Sequence, residues 1–122
     1  MRYIKSNRLT RIVKRSDYLR VKQRGTSVAE PGVVIQAAPV ANSSSYPQPR
    51  VGFTVSKRVG NAVKRNRARR RLKSIASDVL PNEGFQAWDY VFIGRLVTLN
   101  RPYDLLLEDA RSALRKIHHK AI

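Results

Sequence analysis

An α+β domain is the fold class that this sequence predicts, and three observations predict it. Apolar residues recur with a period of two in some segments and of three to four in others, in the order helix, strands, helix, strand, helix. Turn residues (Gly25, Gly32, Pro39, Gly60, Pro81 and Gly84) stand where the period changes. A chain of 122 residues buries one modest core and not two, so a single domain over 1–122 is expected. Its sheet is expected to be mainly antiparallel.

The first helix reads from Ser16, a candidate N-cap, through Asp17 in the first turn to Arg24, with Gly25 as the stop. Gly32 opens Val33-Val34-Ile35-Gln36-Ala37-Ala38, a β-branched run that Pro39 ends, and a Ser/Pro-rich loop over 39–50 follows. Arg50 to Lys57 sets Val51, Phe53 and Val55 against Gly52, Thr54 and Ser56, the alternation of a half-buried strand. A long helix is expected over about Asn61 to Leu80, closed by Pro81. Trp88 to Gly94 is the most apolar run and reads as a central strand buried on both faces. The last helix is expected to start near Asn100 as cap, with Pro102 in its first turn and Leu106, Ala110, Leu114 and Ile117 on one stripe. Residues 1–15 are expected to form a basic arm and 118–122 a tail.

Charge narrows the function. Lys and Arg number 25 against 8 Asp and Glu, a formal charge of +17, and self-repulsion of that size destabilises a compact body unless an anion neutralises it. No carboxylate lies between Glu30 and Asp78, where ten Lys or Arg fall. Arg2, Lys5, Arg8, Arg11, Lys14 and Arg15 are likewise unopposed before Asp17. This segregation favours nucleic acid or an anionic membrane as partner. A membrane span needs roughly 20 apolar residues and none is present. The basic start has no apolar run for secretion, so a cytoplasmic location is expected, with an organelle transit peptide as the alternative. The absence of Cys excludes disulfides and cysteine zinc sites and agrees with a reducing compartment.

The densest basic segment is Val51 to Lys73, in which Lys57, Arg58, Lys64, Arg65, Arg67, Arg69, Arg70, Arg71 and Lys73 crowd a strand exit and a helix start. Cations at a helix N-terminus oppose its dipole, while the free N–H groups there and the forked guanidinium both suit phosphate. Ala68, Leu72, Ile75, Ala76 and Val79 form the apolar stripe of this helix, and Arg65 continues it toward the start. The stripe predicts that the C-terminal half packs on the sheet and the N-terminal half leaves the core. A solvated surface helix is the competing reading, but such helices interleave acids at i, i+4 and this one has none before Asp78.

The run GFTVSKRVGNAVKRNRARRRLK closely resembles the signature of the ribonuclease P protein component family. Ser56, Lys57, Gly60, Asn61, Ala62, Val63, Arg65, Asn66 and Arg67 fall on its motif and Arg70 on a further basic position, and the resemblance extends over nearly the whole chain. It implies an α+β fold with a left-handed crossover at the Arg-Asn-Arg helix. It implies that Lys57, Arg58, Asn61, Lys64, Arg65, Asn66, Arg67 and Arg70 bind RNA, and that a cleft holds the single-stranded 5′ leader of precursor tRNA. Transferred by position, Tyr18, Lys22 and Gln36 belong to that cleft; Lys22 and Gln36 stand where other members often carry aromatics, so leader binding here leans more on charge.

The implied partners are the catalytic RNA of ribonuclease P and precursor tRNA, with no membrane and no obligate protein partner. No cofactor is expected on the protein itself; Mg²⁺ belongs to the RNA-containing holoenzyme and lowering its requirement to the protein. Two other functions compete. A protein-only nuclease needs acid–base or metal-ligating groups, and no His, Asp or Glu occurs from Gly32 to Ser77. A ribosomal or general RNA-chaperone protein fits the composition equally well and is separated only by the motif. Trp88 reads as core, Tyr46 as solvated, Asp89 as a strand start, and His118-His119 as the end of a cationic helix and not a metal site.

Overall fold

The computed structural model describes residues 9–40 and 48–121, so Arg2, Lys5, Arg8 and Tyr46 lie outside the described residues. In chain order the elements are β1 (Thr10–Arg11), α1 (Arg15–Arg24), β2 (Thr26–Ala29), β3 (Val33–Pro39) and β4 (Arg50–Thr54). A 3₁₀ turn (Lys57–Val59) leads into α2 (Ala62–Glu83), and β5 (Trp88–Gly94) and a second 3₁₀ turn (Leu96–Leu99) lead into α3 (Tyr103–Ala121).

The strands lie in the order β1-β4-β5-β3-β2, with the apolar β5 in the middle as its sequence predicts. β3 is antiparallel to β2 and β5, while β4 is parallel to both β5 and β1. The sheet is therefore mixed and not mainly antiparallel. The cause is α2: a helix between two neighbouring strands returns the chain to its starting end, so β5 must run the same way as β4.

Alternate residues divide the sheet into two faces. Val33, Ile35, Val51, Tyr90 and Phe92 join the stripes of α2 and α3 in the main core. Ala38 and Val91 join Ile12 and Val21, with Tyr18 and Ile93 packed against them, beneath α1 on the opposite face. Val21 is the one buried residue of α1, worth about 1.5–3 kcal/mol. α1 is thus lightly anchored by apolar burial and leaves part of its sheet face uncovered.

Helix limits differ from the sequence expectation where caps were misplaced. α1 begins at Arg15 with Lys14 at the cap position, so Ser16 lies inside the helix. α2 passes through Pro81 to Glu83, although a proline there removes the bond its N–H would have made and crowds the carbonyl four residues back. α3 starts after Pro102, whose carbonyl accepts from Leu106 N–H at 3.0 Å, while Asn100 closes the second 3₁₀ turn. β4 stops at Thr54, since Ser56 already caps the first turn by accepting from Arg58 N–H at 3.3 Å. His118 is part of α3 and not of a tail.

Candidate nucleic-acid interface

Two surfaces hold the residues singled out from sequence. The first is built around the start of α2. Gly60 has φ of 141°, a conformation that side-chain-bearing residues rarely adopt, and a Cβ there would meet the Lys64 side chain at 2.7 Å. Asn61 caps α2, its Oδ1 accepting from Lys64 N–H at 3.0 Å, and its carbonyl accepts from Arg65 N–H at 2.9 Å. Asn61 is therefore committed to shaping the loop, and the cations around it are what the surface presents.

Lys57, Arg58, Lys64, Asn66, Arg67 and Arg70 are exposed and Arg65 is half-buried. The first buried residue of α2 is Ala68, so the N-terminal part of the helix leaves the core as the stripe predicts. Arg67 Nε donates to the Leu99 carbonyl at 3.2 Å, and Asn66 Oδ1 accepts from Arg69 at 3.1 Å. Arg71 is half-buried and donates to the Arg101 carbonyl. The side-chain Nε of Arg65 is buried without a hydrogen-bond partner among the described residues.

The second surface is a cleft of about 360 Å³ on the α1 face of the sheet, lined by Arg15, Tyr18, Leu19, Lys22, Gln36, Thr54, Val91 and Ile93. It brings together Tyr18, Lys22 and Gln36, which are scattered over α1 and β3. Tyr18 is half-buried and lies against Gly52 of β4, where a Cβ would collide with its hydroxyl. The bare backbone of Gly52 thus gives the ring its seat. Sequence reasoning missed Arg15, Leu19, Thr54, Val91 and Ile93. The signal was present: Arg15 with Tyr18 and Leu19, and these two with Lys22, are three or four residues apart on one side of α1, and Val91 and Ile93 are the alternate face of β5.

Neither surface offers a carboxylate or imidazole among these lining and exposed residues, so their chemistry is that of cations, amides, one phenol and an apolar floor. Such a set binds phosphate and stacks bases; it does not move protons or hold a hard divalent cation, which asks for oxygen ligands.

The chain matches the family model described as Ribonuclease P over residues 7–118. The chain belongs to the ribonuclease P protein family. It is 50% identical over 111 residues to the ribonuclease P protein component of Paramagnetospirillum magneticum, covering 90% of this chain and 84% of that one. It is 49% identical to that of Ruegeria pomeroyi, with 86% and 83% covered. The solved RNase P protein of Staphylococcus aureus superposes with a TM-score of 0.70 at 26% identity over 88% of this chain and 94% of the other. That of Thermotoga maritima does so with a TM-score of 0.70 at 22% identity over 88% and 96%, a likeness of fold. As a ribonuclease P protein this chain is the protein subunit of an RNA-containing holoenzyme that processes tRNA. No helix among the described residues is long and apolar enough to cross a membrane.

Proposed function

We propose that this subunit binds the single-stranded 5′ leader of precursor tRNA in the cleft between α1 and the sheet, and the catalytic RNA along the start of α2. The observation that carries the reading is the single cleft shared by Tyr18, Lys22, Gln36 and Arg15. A base stacks on Tyr18, phosphates pair with Arg15 and Lys22, and the Gln36 amide meets base edges from the floor. Lys57, Arg58, Lys64, Arg65, Arg67 and Arg70 face structured RNA, with Asn61 and Asn66 holding loop and helix in shape. The β4–α2–β5 connection is left-handed in this reading, turning the basic end of α2 toward the RNA.

Hydrolysis belongs to the RNA. The two surfaces do not fit Mg²⁺, having no carboxylate to bind it, so no step is routed through a metal on the protein. The protein's part is to neutralise phosphate charge that divalent ions must otherwise screen. Cleavage of a precursor tRNA by a bacterial ribonuclease P RNA at low Mg²⁺, with and without the protein, tests this. The protein should restore cleavage, and the RNA-free protein should cleave nothing. Holoenzyme-rate cleavage by RNA-free protein would contradict the assignment.

A further inference from the structure

Asp89 is fully buried on the face of β5 that α1 covers. Arg50 of β4 donates to both its oxygens, at 2.7 and 2.6 Å. Arg20 of α1 donates to the same carboxylate and also to the Pro39 carbonyl at 3.0 Å. Asp17, one turn earlier on α1, lies 3.5 Å from Arg50 and 3.9 Å from Arg20. Two cations and two carboxylates thus alternate between helix and sheet. Lifting or rolling α1 would pull Arg20 and Asp17 away from a carboxylate and a guanidinium that are out of water, which is strongly unfavourable.

The position of this cluster on α1 gives it a consequence for the cleft. At 100° per residue, Asp17 and Arg20 lie on one flank of the helix and Tyr18 and Lys22 on the other, with the buried Val21 against the sheet. A roll that loosened the first flank would lift Tyr18 off Gly52. A buried ion cluster adds little stability over apolar residues of the same volume, but it fixes geometry, and α1 has little apolar anchorage of its own.

We propose that Arg20 and Asp89 are positioning residues for single-stranded RNA: with Arg50 and Asp17 they fix the roll of α1 on the sheet and so hold the leader cleft at its working width. The inference rests on the reading of that cleft as the leader site, and the test separates the two. Binding of leader-bearing and mature tRNA is measured on the holoenzyme, the ratio of dissociation constants giving the gain due to the leader. Arg20→Met leaves the buried Arg50–Asp89 pair intact, and it should reduce the gain roughly tenfold, the size of an ordinary coupling within a shared network. Arg20→Lys should recover part of it. Asp89→Asn keeps the charge of Arg20 while removing what it grips, and it should lose the gain as well; a direct contact of Arg20 with RNA predicts no loss there.

The chain has no cysteine, so spin labels at Gln23→Cys on α1 and Arg115→Cys on α3, both exposed positions, report the roll directly. The distance distribution should broaden in Arg20→Met and narrow again in Arg20→Lys. Equal weakening of mature and precursor tRNA by Arg20→Met, full leader gain in Asp89→Asn, or an unchanged distance distribution would overturn the clamp. Tyr18→Ala is the reference: a leader-dependent loss in it with none in Arg20→Met rejects only the clamp, and no leader dependence in either rejects the cleft reading and the clamp together.

Discussion

Arginines that read alike in the sequence do different work in the fold. Arg71, one of five arginines within Arg65 to Arg71, is not set apart from the others by sequence, yet it is half-buried and bonded to the Arg101 carbonyl. Arg70 beside it is exposed. Arg71→Ala should therefore cost about 1–2 kcal/mol of stability, the loss of a charged hydrogen bond at a partly open site. Arg70→Ala should leave the melting temperature unchanged and lower the salt slope of RNA binding by about one. The reverse pattern, with Arg70 stabilising and Arg71 binding, would exchange their roles. That the basic segment gathers at the start of α2 was legible because its residues are adjacent in sequence. The use of Asp89 was not, since its partners Arg50 and Arg20 stand 39 and 69 residues away, and nothing local distinguishes a buried, paired aspartate from a strand start.

At the scale of elements, long periodic stripes were readable and short or non-local features were not. The apolar stripes of α2 and α3 follow from period, and the central place of β5 from its unbroken apolar run. β1 has two residues and β2 four, too few to show alternation, and the parallel pairing of β4 with β5 depends on where α2 returns the chain. The docking of the end of α3 was equally hidden. His118 stacks on Phe85 at 3.7 Å and meets the Tyr90 hydroxyl at 2.7 Å through Nε2, while that hydroxyl accepts from Phe85 N–H at 2.8 Å. One hydroxyl thus ties Phe85, in the segment between α2 and β5, to His118 of α3. Burial lowers the pKa of His118 below its ordinary value, so the unfolded chain takes up the proton more readily than the folded one. The stability this contributes is complete above the unfolded pKa of about 6.5 and is lost as the pH falls through it toward the lower folded value. His118→Phe keeps the stack and removes the titration. Melting temperatures taken from about pH 8 down to pH 5 should fall more steeply for the wild type than for this variant; parallel curves would show that the cluster does not titrate with folding.

Among the described residues the charge is placed and not spread: the buried carboxylates are paired to particular arginines, Asp89 to Arg50 and Asp109 to Arg101 at 2.5 Å, while the residues lining the cleft and those exposed at the start of α2 include cations and no acids. Sulfate, pyrophosphate or an oligonucleotide should consequently raise the melting temperature more than chloride does at equal ionic strength, since a ligand that prefers the cations gathered on the native surface to those of the unfolded chain stabilises the fold by mass action; indifference to these anions would mean the charge is harmlessly dispersed. The division into a leader cleft and a face for structured RNA is the central claim, and one measurement addresses it most directly: holoenzyme affinity for precursor tRNA as the leader is shortened to nothing, with wild-type protein and with Tyr18→Ala. The account predicts that the variant loses about 1–3 kcal/mol of binding while the leader is present, toward the lower end because Tyr18 is the one aromatic ring among the residues lining the cleft, and that the loss vanishes with mature tRNA. Equal weakening of mature and precursor tRNA would contradict it.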